Sequence, residues 1–188
     1  MAITLTSLPE ASTSASSCYL GCGNPGYSHT NIIDGLYGYP VGSPYNNSAW
    51  NSGGFGGWVQ VDFGAVYQLD RIELYGGAYY DGNFNLQVSD NAVSWSQIAA
   101  GSFHIEPALS LPASGSYQGV NFGAVYTNLP ATAGGRYLRF NSGGAPHWSY
   151  LYEMTVEGHS TVSSVPLPGA LGLLASGVGL LGWAGRRR

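Results

Sequence analysis

Five short stretches in which apolar and polar residues alternate constrain this chain more than any other feature. Trp58-Val59-Gln60-Val61-Asp62-Phe63-Gly64 sets Val59, Val61 and Phe63 on one side and Gln60 and Asp62 on the other, the period of a half-buried strand. Arg71 to Tyr75 repeats it with Ile72 and Leu74 inward, and Asn85 to Ser89 with Leu86 and Val88. Arg136 to Phe140 turns Leu138 and Phe140 to the core, and Tyr152 to Val156 offers Tyr152, Met154 and Val156. Further strands are expected near Ile3 to Leu5, Trp95 to Ala99 and Gly119 to Tyr126. The 29 glycines and a lack of lysine suit many short strands joined by turns better than helices. Two sheets closed face to face bury both apolar sets, so the chain is expected to be all-β, a jelly-roll β-sandwich.

Charge narrows the functions. The formal net charge is -4, and three of the six basic residues are the terminal Arg186, Arg187 and Arg188. With only Arg71, Arg136 and Arg139 before them, no basic footprint for nucleic acid exists, and no nucleic-acid partner is expected. No Gly-x-Ser-x-Gly, no His-Glu-x-x-His and no cysteine with a positioned histidine occurs, and no spacing singles out a glycosidase pair of carboxylates. The chain is expected not to be an enzyme.

Cys18 and Cys22 lie in a Ser/Gly-rich stretch whose one nearby metal-ligand type is His29, too few for zinc. They form either a small local disulfide or two free thiols.

The C-terminal segment reads differently from the rest. Leu167 to Gly185 carries no charge, and nineteen residues at the helical rise span about 28 Å, the thickness of a bilayer core. Trp183 suits an interface, and Arg186 to Arg188 keep their side cytoplasmic, so the residues before the span face outward. The expected organisation is a sandwich over 1–158, a linker over 159–165, and a sorting and membrane segment over 166–188.

This tail, Val165-Pro166-Leu167-Pro168 followed by a glycine-rich apolar run and three arginines, resembles the PEP-CTERM sorting signal, with Leu167 where that signal has Glu. The resemblance implies processing by an exosortase, a C-terminal transmembrane helix, and export to the cell envelope of a Gram-negative, exopolysaccharide-producing bacterium. Met1 to Ser17 has neither a basic nor an apolar leader region, so a secretory signal is expected upstream of Met1.

A second resemblance covers about Asn31 to Gly158. Ile33-Asp34-Gly35, Ser48-Ala49-Trp50, Trp58 to Gly64, Ser89-Asp90-Asn91-Ala92-Val93-Ser94-Trp95, Arg136 to Phe140 and Tyr152 to Gly158 are similar, in order, to the discoidin or coagulation-factor type C domain. Ala92 stands where that family usually has Gly, Ser48 where it has Thr, and Gly101 to Gly119 is an insertion. The resemblance implies a galactose-binding-like jelly roll that recognises carbohydrate, or in some relatives phospholipid or protein, through loops at one end. It also implies a structural Ca2+, and by motif position Asp34, Ser48 and Glu153 would hold it. The alternative is that Asp34 makes an Asx turn before Gly35 and Glu153 is a solvated strand residue.

Sugars are held by aromatic faces and by polar groups that satisfy hydroxyls. The candidate loops are Tyr45 to Asn47, Tyr79 to Asn83, His104 and Pro146 to Tyr150, with Tyr79, Tyr80, Asn83, His147 and Trp148 as ligand residues. Trp50, Trp58 and Trp95 are expected to pack in the core or beneath loops. The chain is thus read as an envelope-anchored binding module for carbohydrate or exopolysaccharide. The alternatives are a structural matrix protein of a biofilm without a specific ligand, or a lipid-headgroup binder.

Overall fold

The computed structural model describes residues 1–40, 49–54, 56–78, 82–103, 117–118, 122–142 and 149–161. Among these the chain is all-β, with strands β1 (Ile3–Thr4), β2 (Ser12–Ala15), β3 (Tyr39–Pro40), β4 (Trp50–Asn51), β5 (Trp58–Ala78), β6 (Asn83–Ser89), β7 (Ser96–Ser102), β8 (Tyr117–Gln118), β9 (Phe122–Tyr126), β10 (Gly134–Asn141) and β11 (Ser149–Ser160). Two 3-10 turns, Leu5–Ser7 and His29–Ile33, are the helical pieces between them.

The two layers share one strand. The first half of β5 pairs antiparallel with β2 and β10, and β10 carries β6 and then β7. The second half of β5 pairs with β11 and β9, and β11 carries β1 and β4. Between the halves Gly64 takes φ +81°, and a Cβ there would meet Glu10 Cγ at 2.7 Å, so glycine is required where the strand passes from one sheet to the other.

The alternation seen in the sequence builds the core. Val59, Val61, Phe63, Ile72, Leu74, Leu86, Val88, Leu138, Phe140, Met154 and Val156 all join one buried cluster with Trp50. Phe84, Phe103 and Phe140 pack ring on ring at its centre, 5.1 Å for Phe84 and Phe140 and 5.3 Å for Phe84 and Phe103. Burying a side chain of this size stabilises by roughly 1.5–3 kcal/mol, and it is this repeated gain that sets the register.

Two expectations are corrected, and one irregularity is added. The first strand stops at Thr4, and Leu5 packs into the core from a 3-10 turn. A bulge between Leu151 and Glu153 breaks the alternation of β11, so Leu151 joins Met154 and Val156 in the core cluster while Tyr152 is buried as expected. β11 also runs past the expected boundary at 158, with His159 and Ser160 opposite Gln68 and Tyr67. The weaker strands emerge as Ser96–Ser102 and Phe122–Tyr126. Among the described residues no helix is long and apolar enough to cross a membrane; the segment 166–188 lies outside them.

Candidate functional site

One end of the sandwich is assembled around the cysteines. Cys18 and Cys22 form a disulfide with Cα atoms 4.8 Å apart, closing a turn in which Gly21 N–H donates to Cys18 O at 2.9 Å. The strap is tied to β4: Tyr19 N–H donates to Asn51 O at 2.7 Å, and the Trp50 indole N–H donates to Ser17 O at 2.9 Å. Gly53, at φ +77°, lets the chain pass so close that a Cβ would lie 3.1 Å from Tyr19 Cα.

These ties bring tyrosines from distant segments into a row. Tyr19 and Tyr27 meet edge to face at 5.0 Å, Tyr27 lies 6.5 Å from Tyr150, and Tyr150 stacks on Tyr152 at 6.3 Å. Tyr19, Tyr27 and Tyr150 are half-buried, while Tyr152 is 3 % exposed. Half-buried tyrosines present both an apolar face and a hydroxyl, the combination a pyranose ring needs. Beneath them Asn51 is almost fully buried; its Oδ1 accepts from Gly53 N–H and its Nδ2 has no partner. Tyr150 closes one of the predicted loops, but Tyr19 and Tyr27 escaped sequence reasoning. The available signal was the Cys18–Cys22 spacing beside two tyrosines.

Of the predicted ligand residues, Tyr79, Tyr80, His147 and Trp148 lie outside the described residues. The nearest described strand ends to them, Ala78 and Ser149, pair with each other. Asn83 is exposed at the start of β6 and lines an open hollow of about 610 Å³ with Asn85, Gln97 and Ser102.

The predicted metal ligands separate in the same way. Ser48 is outside the described residues, while Asp34 and Glu153 line one hollow of about 440 Å³ with Thr6, Tyr37 and Thr155. Glu153 is 4 % exposed, and its Oε2 accepts from Gly35 N–H at 3.0 Å. Asp34 is exposed and its Oδ1 accepts from Leu36 N–H at 2.9 Å, the Asx turn foreseen as its alternative role. Burial pushes the Glu153 carboxyl up to about 9, and the Asp34 charge adds to this against the Gly35 hydrogen bond. The sandwich's three arginines are engaged elsewhere, with Glu73, Asp62 and Gln60. A buried carboxylate beside a second carboxylate, with oxygen donors around both, suits a hard cation. No group of three His, Cys, Asp or Glu side chains converges among the described residues.

On the outer face of the β2–β5–β10–β6–β7 sheet, Trp58 and Trp95 depart from their expected place beneath loops. Both are half-buried and flank the Arg139 guanidinium, whose Cζ lies 4.0 Å from the Trp58 ring centroid and 3.7 Å from that of Trp95. Next to them Arg136 forks onto both oxygens of Asp62 at 2.8 Å, a pairing that holds the Asp62 carboxyl below the usual carboxylate range.

The family profile of the F5/8 type C domain matches residues 12–154, most of the sandwich. The chain belongs to this family. No curated protein gives a significant match. Among solved structures, F5/8 type C fold similarity extends to a family 32 carbohydrate-binding module of Clostridium perfringens NanJ in complex with galactose, at 13% identity and a TM-score of 0.56, covering 84% of this chain and 99% of that one. A chitosan-binding module of a Paenibacillus chitosanase/glucanase is 18% identical, with a TM-score of 0.53 over 82% of this chain and 98% of that one. A family 89 glycoside hydrolase of C. perfringens, 18% identical with a TM-score of 0.54, is covered over 15% of its length by 87% of this chain, so there the F5/8 type C fold is one part of a larger enzyme.

Proposed function

We propose that the chain is a non-catalytic carbohydrate-binding module displayed outside the cell, with its sugar seated on the tyrosine row at the disulfide-tied end. The observation that carries the reading is the convergence of Tyr19, Tyr27 and Tyr150 on one end of a fold shared with a galactose-bound module and a chitosan-binding module. Tyr79, Tyr80, His147 and Trp148 complete this site in the proposal, since the strand ends nearest them meet at Ala78 and Ser149. The Cys18–Cys22 disulfide supports an oxidising compartment and hence export. The segment 166–188 serves as an exosortase-processed sorting signal and membrane anchor that holds the module at the envelope, where exopolysaccharide is the available ligand.

Asp34, Ser48 and Glu153, with neighbouring carbonyls, hold a structural Ca2+ in this reading. The ion would supply the positive charge that the Glu153 carboxylate lacks.

Glycan-array screening of the full chain, followed by calorimetric titration, tests the reading. Binding of at least one neutral glycan, weakened about tenfold or more by Tyr27→Ala, is expected, as the loss of an aromatic stacking face implies. A chain that binds no glycan but localises to the extracellular matrix would instead be a structural protein, and liposome binding without glycan binding would make it a lipid-headgroup module.

A further inference from the structure

Each arginine of the sandwich has a partner, but one partner differs in kind. Arg71 pairs with Glu73 and Arg136 forks onto Asp62, so both charges are neutralised. Arg139 meets an amide: its Nε and Nη2 donate to the one oxygen Gln60 Oε1, at 3.1 and 2.7 Å. A guanidinium carries five N–H donors, so two N–H on Nη1 and one on Nη2 are left at its far end. Burial lowers the Arg139 pKa, and no carboxylate opposes that shift.

Strand register explains how this cation is held. Arg139 lies between Gln60 on β5 and Gln87 on β6, on the side of the sheet opposite Leu138 and Phe140. Gln60 is 8 % exposed and fixed by the strand, so it anchors one edge of the guanidinium, while the Arg139 Cζ lies over the rings of both Trp58 and Trp95. Indole faces offset part of the cost of desolvating the cation but do not satisfy its remaining donors. The arrangement is a slot bordered by two indoles and an amide, with the remaining guanidinium N–H groups at its far edge.

We infer that this slot is a second glycan site, on the sheet face and not at the loop end, in which Arg139 receives the carboxylate of a uronic acid unit. A carboxylate is planar and continues the guanidinium plane, accepting two parallel N–H bonds from Nη1 and Nη2. A tetrahedral sulfate ester matches that planar edge less well than a carboxylate does. The inference rests on the carbohydrate-binding reading but uses none of the tyrosine row, so the two sites fail separately.

Affinity electrophoresis of the full chain through gels containing polygalacturonate, dextran sulfate, or the best neutral glycan from the array tests it. Retardation by polygalacturonate is expected to fall about tenfold or more in Arg139→Gln, the loss of one charge-assisted hydrogen-bonded contact, with neutral-glycan binding unchanged. Gln60→Glu provides a shape-preserving control: it gives Arg139 an internal carboxylate and should abolish the same retardation while leaving the fold intact by near-ultraviolet circular dichroism. In the unmodified chain, galacturonate should change tryptophan fluorescence saturably, since Trp58 and Trp95 border the slot. Equal retardation of both variants and the parent by polygalacturonate overturns the inference. So does equal or stronger retardation by dextran sulfate, or a galacturonate titration without fluorescence change. Neutral binding that persists alongside such a result leaves the tyrosine site standing and removes only the slot.

Discussion

Glu153 and Arg139 are both ionisable groups set into the sandwich without an opposite charge beside them, yet the regions around them are built by different rules. Arg139 sits on a regularly paired stretch of β10, where alternation delivers it to the sheet surface and leaves one edge of its guanidinium open. Glu153 sits just after a bulge, where the pleat is broken, and the strand turns a carboxylate into a hollow at 4 % exposure. Regular pairing keeps a charge at the surface. A bulge can bury one, and burial then holds the proton on it.

Core packing behind Arg139 gives the largest expected effect. Phe140→Ala removes a ring 1 % exposed that packs on Phe84 and Trp50, and should cost about 4 kcal/mol as a cavity-forming change. Chemical denaturation would show a lower midpoint; an unchanged midpoint would mean that this half of the sandwich does not depend on its regular core.

Glu153→Gln tests the other side of the comparison. Because the folded carboxyl is raised to about 9 from 4.5, the folded state holds its proton while the unfolded chain ionises. Stability is therefore full below pH 4.5 and declines as pH rises through 9 in the presence of chelator. The neutral amide keeps the Gly35 hydrogen bond and should be more stable than the parent at pH 8 by on the order of 3 kcal/mol, discounted from the full shift. Calcium should raise the parent's melting temperature and leave that of the variant unchanged. Identical melting of parent and variant across this range, with and without calcium, would remove both the strain and the ion.

Replacing Cys18 and Cys22 by Ser opens a short loop, for which chain entropy gives about 2 kcal/mol. Glycan affinity should fall with it, because Tyr19 is held by this strap, whereas polygalacturonate binding through Arg139 should not. Parallel loss of both would show that the two regions are not independent. Smallest is Arg71→Ala, which breaks a solvent-screened ion pair whose arginine is 41% exposed and should leave the melting temperature nearly unchanged.

The fold was legible because alternation is a strong signal wherever pairing is regular: Val59, Val61, Phe63, Leu86, Val88, Leu138 and Phe140 all lie where their pattern puts them. Pattern gives no sign of a bulge, so Glu153 could be read as solvated and Leu151 gave no signal that it is buried beside Tyr152. The site was less legible for a related reason. Tyr19, Tyr27 and Tyr150 meet only because a disulfide and β4 tie separate segments together, and Arg139 is flanked by indoles from outside its own strand. Contacts made across the sandwich leave no mark in a local window of sequence.

Carbon-13 tyrosine NMR of the full chain, titrated with the best-binding neutral glycan, tests the sugar site most directly. Resonances of Tyr19, Tyr27 and Tyr150 should shift saturably, with the same midpoint as calorimetry, while that of Tyr126 on β9 stays in place. Saturable binding that moves none of the three would contradict the assignment of the sugar to the disulfide-tied end.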